Sequence, residues 1–143
     1  MTVVQTKDTM SQIYLDAVKI RHQVFVKEQG VPLEREIDKD EAYAIHFVLY
    51  EEGQALATVR LLPLNETTLK LQRMAVRKDA RKKNLGKQVI TEAEKFAKQQ
   101  GFSMIQLGAQ LPAEPFYEKM GYHKYGEVFL DAGMEHIAMK KNL

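Results

Sequence analysis

Residues 67–107 constrain the fold of this chain more than any other stretch. Residues 67–76 read as a strand, with Leu69 and Leu71 on one side. Leu85, Val89, Ile90, Ala93, Phe96 and Ala97 then recur at helical spacing, giving an amphipathic helix stopped by Gly101. Residues 102–107 form a second, short apolar strand. Two strands of one sheet joined through a helix run parallel, and the crossover is right-handed. The chain therefore holds a sheet with a parallel pair and a helix on its face.

The flanking segments add antiparallel hairpins. Residues 46–51 and 54–64 are strands joined at Glu52-Gly53, and Asn65-Glu66 marks the next turn. Residues 122–131 and 135–140 form a last hairpin around Ala132-Gly133. Val3 and Val4 suggest a first strand. Met10, Ile13, Tyr14, Ala17, Val18, Arg21, Val24 and Phe25 share one face of a helix over residues 10–27, punctuated by Gly30 and Pro32. A short helix over residues 112–120 ends at Gly121. Residues 33–43 are mostly charged and are expected to be a solvated loop or short helix. The expected fold is α/β (α+β): a mixed, mostly antiparallel sheet of about seven strands with about four helices. With 143 residues, it forms a single domain over 1–143.

Composition narrows the function. The chain has no cysteine, which excludes disulfides, thiolate metal sites and a cysteine nucleophile. Residues 1–7 lack the apolar stretch of a signal peptide, so a cytoplasmic location is expected. The apolar run at 47–50 is far shorter than the roughly 18 residues a membrane span needs, so no membrane partner is expected. With 21 basic and 19 acidic residues the net charge is only +2, so a nucleic-acid partner is not expected and any positive feature is local. Gly86-Lys87 is followed by Gln88, so there is no P-loop, and G-x-G-x-x-G is absent. Neither Ser11 nor Ser103 sits in a G-x-S-x-G elbow. His22, His46, His123 and His136 show no metal-ligand spacing, and no metal is expected.

Two segments could carry chemistry. Residues 77–87 hold six basic residues in eleven and then enter a helix N-terminus, where unpaired N–H groups and the helix dipole favour phosphate or pyrophosphate. Gly86 would allow an anion close to the backbone, and Asn84 suits an N-cap or a left-handed turn. An ordinary solvated basic loop is the plainer alternative. In residues 110–122, Tyr117 lies on the short helix after the crossover's second strand. It is either a functional hydroxyl or a core tyrosine with one polar partner.

Together these segments resemble the GNAT superfamily of acyl-CoA-dependent N-acetyltransferases. R-K-K-N-L-G at residues 81–86 matches the family's [QR]-x-x-G-x-[GA], with Asn84 replacing the first glycine. Q-L-P-A-E-P-F-Y-E-K-M-G-Y at 110–122 matches N-x-x-A-x-x-F-Y-x-x-x-G-F, with Gln110 replacing Asn. R-H-Q-V-F-V-K-E-Q at 21–29 and E-V-F-L-D-A-G-M-E-H-I-A-M at 127–139 resemble a subgroup of small, mostly uncharacterised bacterial members. R-x-x-V-F-V is also similar to acyl-homoserine-lactone synthases, which share the fold but are longer.

The resemblance implies transfer of acetyl from the cosubstrate acetyl-CoA to a small-molecule or peptide amine in a ternary complex. It implies that Arg81, Lys82, Lys83, Asn84, Leu85, Gly86 and Lys87 hold the pyrophosphate. A backbone N–H among Met74, Ala75 and Val76 would meet the thioester oxygen. Gln110 and Phe116 would lie along the cofactor, and Tyr117 would protonate the departing thiolate. The amine must lose a proton before it attacks; Glu28, His46 and Glu127 are the candidate bases. Gln72, Asp131 and His136 could equally line the acceptor site. A homodimer fits this fold. The alternative function is a non-catalytic acyl-CoA sensor, which would bind the cofactor without turnover.

Overall fold

Strand β2 (Ile45–Glu51) alternates between two cores. Phe47 and Leu49 point to one face of the sheet, Val48 to the other. A computed structural model describes residues 1–143 and places a helix against each face. Helix α1 (Gln12–Arg21) continues without a break into a π-helical stretch, His22–Glu28, and buries Ala17, Ile20 and Val24 against Val48 and Ala75. Its start is capped by the Ser11 hydroxyl, which accepts from the Tyr14 N–H at 3.2 Å. On the opposite face α3 (Leu85–Gln99) buries Leu85, Val89, Ile90, Ala93 and Ala97 against Phe47, Leu49, Val59 and Leu61. Each buried Val, Leu, Ile or Phe among these stabilises the fold by roughly 1.5–3 kcal/mol through burial.

The other strands are β1 (Thr2–Thr6), β3 (Gln54–Pro63), β4 (Thr68–Val76), β5 (Met104–Gln110), β6 (His123–Asp131) and β7 (Met134–Asn142). Short helices α2 (Leu33–Glu36) and α4 (Glu114–Lys119) complete the order. One seven-stranded sheet runs β1-β2-β3-β4-β5-β7-β6. Every pair is antiparallel except β4 and β5, the strands joined by α3, as the crossover pattern requires. The β2–β3 turn has positive φ at Glu52 (49°) and Gly53 (78°), the combination that matches hairpin twist. No helix is long and apolar enough to cross a membrane.

One expectation fails in this region. The charged run at 33–43 is not simply solvated: Glu36 and Glu41 are buried. Arg21 on α1 and Arg60 on β3 are fully buried beside them, and a buried cation must draw in a counter-ion.

Candidate active site

Strands β4 and β5 pair only from Thr68↔Met104 to Lys70↔Gln106. Beyond Lys70 they part. The cause lies on β4, where the pairing with β3 slips between Thr58 and Arg60, so that Arg73 and Met74 both face Val59. Arg73 takes φ of +56°, a strained value for a non-glycine residue. Such a bulge bends its strand and here turns β4 away from β5. The gap is part of a cleft of about 460 Å³, walled by both strands, the π-helical segment, α4 and the β6–β7 hairpin.

At the end of β4 the chain passes through the basic loop into α3. From Arg81 to Lys87 no backbone N–H donates to another protein group; the ladder begins with Gln88 donating to the Asn84 carbonyl at 3.0 Å. Lys82 and Asn84 have φ of 71° and 59°, and the Asn84 side chain forms no cap bond. Asn84 thus makes the left-handed turn and leaves the first-turn donors free, the arrangement that cradles anions. Gly86 packs against β4, where an added Cβ would lie 3.4 Å from Met74 Sδ and 3.5 Å from Val76 Cγ2. Met74 also lines the cleft, so the loop adjoins the cleft wall.

Tyr117 on α4 is 7% exposed and lines the cleft. Its ring packs edge-to-face on Phe116 (5.0 Å) and Tyr122 (5.8 Å). Its hydroxyl has no protein partner and is not sealed from solvent, since it is absent from the fully buried unpartnered atoms, Glu36 Oε2 and His46 Nδ1. Burial pushes the phenol up to about 12, so it stays protonated at neutral pH. Gln110 ends β5 on the cleft, opposite His136. Phe116 is half-exposed and supports Tyr117 from outside the lining. Ala75 is buried in the α1 layer, and the Val76 carbonyl accepts from Arg81 Nε at 3.1 Å.

The three candidate bases are not brought to this cleft. Glu28 is clamped by Arg81 through two hydrogen bonds of 2.7 and 2.9 Å, and that guanidinium holds its carboxyl below the usual carboxylate range. This is the wrong direction for a proton acceptor. His46 is fully buried on the α1 face, 2.9 Å from the Glu41 carbonyl through Nε2, edge-on to Tyr14. Burial pulls its imidazole below the ordinary value. Glu127 is exposed in the irregular stretch of β6 between Tyr125 and Phe129. Gln72, Asp131 and His136 do line the cleft.

An ion-pair network beside the cleft escaped the sequence reading. Arg21 donates to Glu36 Oε1 (2.8 Å), to both Glu41 oxygens (2.8 and 2.9 Å) and to the Glu36 carbonyl (2.8 Å). Arg60 reaches Glu41 (2.8 Å), Asp38 (2.9 Å) and the Gln72 side-chain oxygen (2.7 Å). Arg73 bridges Asp38 at 3.1 Å and Glu36 at 3.4 Å. The network fastens α2 to β3 and β4 and fixes the cleft's Glu36, Gln72 and Arg73. Its one sequence signal is Arg21 among the apolar residues on one face of the helix over residues 10–27.

A family model described as an acetyltransferase (GNAT) domain matches residues 8–143. The uncharacterised N-acetyltransferase YjcF of Bacillus subtilis is 40% identical over 128 residues, 89% of this chain and 91% of its own length. A solved structure of a candidate N-acetyltransferase from Lactobacillus plantarum matches with a TM-score of 0.92 at 29% identity, over 99% of this chain and 97% of that one. The fold is also that of an aminoglycoside 6'-N-acetyltransferase solved with coenzyme A. There the TM-score is 0.75 at 17% identity, over 99% of this chain and 97% of the other.

Proposed function

Because this chain belongs to the GNAT acetyltransferase family, we propose that it transfers acetyl from acetyl-CoA to a primary amine of a small molecule or peptide. The observation that carries this reading is the run of free N–H groups from Arg81 to Lys87 beside a cleft lined by an unpartnered tyrosine hydroxyl. The N–H groups, with Lys82, Lys83 and Lys87, hold the pyrophosphate. The pantetheine arm lies where β4 and β5 part, against Met74 and Gln110. A β4 N–H near Met74, Ala75 or Val76 donates to the thioester oxygen as it gains charge, an interaction typically worth about 3 kcal/mol. Tyr117 donates its proton towards the departing sulfur. With no cysteine in the chain, the amine attacks the thioester directly in a ternary complex.

Thermal unfolding with acetyl-CoA tests the binding half. At about 100 times Kd the ligand adds about 2.7 kcal/mol, and a domain of this size then melts roughly 5–12 °C higher. No shift at millimolar acetyl-CoA overturns the reading. A screen of primary amines followed by free-CoA release tests the transfer half. Binding without release for any amine would make the protein an acyl-CoA sensor.

A further inference from the structure

His136 on β7 is 8% exposed and faces the cleft. Its Nδ1 lies 2.8 Å from the Met134 carbonyl oxygen. A carbonyl only accepts, so Nδ1 carries a proton, and in the neutral ring Nε2 holds the lone pair. Nε2 has no protein partner and, unlike His46 Nδ1, is not sealed in the interior. The ring is held a second way, stacked on Phe129 with centroids 5.7 Å apart at 29°. Phe129 in turn packs over Gly108, where an added Cβ would lie 3.3 Å from its Cζ. One tautomer and one orientation are thus set, with the basic nitrogen on the cleft that Tyr117 also lines.

We propose that His136 is the catalytic base that deprotonates the acceptor amine. This rests on the acetyl-transfer reading and names the group that reading lacks. The acceptor's ammonium gives one proton to Nε2. The freed lone pair forms the C–N bond at the thioester carbon while the C–O double bond opens. The oxygen's electron pair then re-forms the C–O double bond as the C–S bond breaks, the C–S pair going to sulfur, which takes the Tyr117 proton. Nitrogen's second proton returns through solvent to the Tyr117 oxygen, and the imidazolium releases its proton to solvent. The other ionisable and charged groups facing this cleft are Asp131 from β6, Tyr117 from α4, Lys70 and Arg73 from β4, and Arg35 and Glu36 from α2. Of the carboxylates among them, Glu36 is engaged by Arg21 and Arg73, which leaves Asp131 as the rival proton acceptor.

The test compares wild type, His136→Gln and Asp131→Asn by free-CoA release against pH. The probes are ethylamine, charged at neutral pH, and trifluoroethylamine, largely neutral there. His136→Gln is expected to keep the acetyl-CoA melting shift. It is expected to lose about 10²–10⁴-fold in kcat/KM with ethylamine, far less with trifluoroethylamine, and to lose the acid-side limb of the pH profile. Asp131→Asn retains that limb. A wild-type pH profile in His136→Gln, an equal loss with both amines, or a lost melting shift overturns the assignment while leaving acetyl transfer standing. Wild-type protein that binds acetyl-CoA but releases no CoA with any amine removes the transfer reading and His136's role with it.

Discussion

Replacing Arg21 with Met should be among the most damaging single changes in this protein. The side chain is fully buried and its guanidinium makes hydrogen bonds of 2.8–2.9 Å to Glu36 and Glu41. Met keeps most of the volume but strands the Glu36 carboxylate. Its Oε2 already has no partner, and Oε1 would be left with Arg73 at 3.4 Å. Glu41 retains Arg60 at 2.8 Å and the Tyr14 hydroxyl at 2.9 Å. Breaking a buried pair from one side costs about 3–5 kcal/mol. An unfolding entropy of about 2.1 cal/mol/K per residue over 143 residues makes that a fall in Tm of about 10–17 °C. Urea and thermal unfolding measure it. The double variant Arg21→Met/Glu36→Gln removes the stranded charge and should recover about 0.5–3 kcal/mol through coupling. A single variant within about 1 kcal/mol of wild type, or a double variant no more stable than the single, refutes this reasoning.

Three further outcomes follow from the same geometry. Burial alone would raise the Glu41 carboxyl, but the Arg21 guanidinium outweighs it and holds the group at about 2. The unfolded value is about 4.3, so the stability Glu41 contributes is complete above about pH 5 and is lost as pH falls toward 2; urea melts across that range would show the slope, and Glu41→Gln should flatten it. Gly86→Ala should retain acetyl-CoA binding, because its Cβ meets Met74 and Val76 at 3.4–3.5 Å, whereas Gly86→Glu drives a carboxylate into that buried contact with β4 and should lower Tm even without ligand; thermal unfolding with and without acetyl-CoA checks both. Tyr117→Phe should change stability by less than about 1 kcal/mol, since the hydroxyl bonds nothing in the protein. It should lower kcat roughly 10²-fold, with a defect that shrinks at higher pH; equal kcat across the range would return Tyr117 to a packing role.

The crossover of β4, α3 and β5, the basic loop before α3 and the tyrosine of α4 were legible along the chain. Each is written in short-range terms: the period of Leu85, Val89, Ile90 and Ala93, the breaks at Gly101 and Gly121, and the order of residues 81–86 and 110–122. Periodicity reports which face of an element is apolar, and motif order reports which loop precedes which helix. Neither says which polar residues meet. Glu28 looked like a free helix-end carboxylate until Arg81, distant in sequence, closed on it. His46 looked available at a strand start, but its neighbours β1 and β3 and the overlying Tyr14 bury it. Glu36 and Glu41 read as surface charge because the cations that draw them inward, Arg21 and Arg60, come from α1 and β3. The bulge at Arg73 exists only as a mismatch between two paired strands. His136 and Glu127 belong to one hairpin, and only the assembled sheet turns the first into the cleft and leaves the second in solvent. Local backbone preference and hydrophobic period act over a few residues and so survive in the linear chain. Charge pairing, proton acceptance and the parting of strands depend on groups that become neighbours only after long-range packing has excluded water from between them.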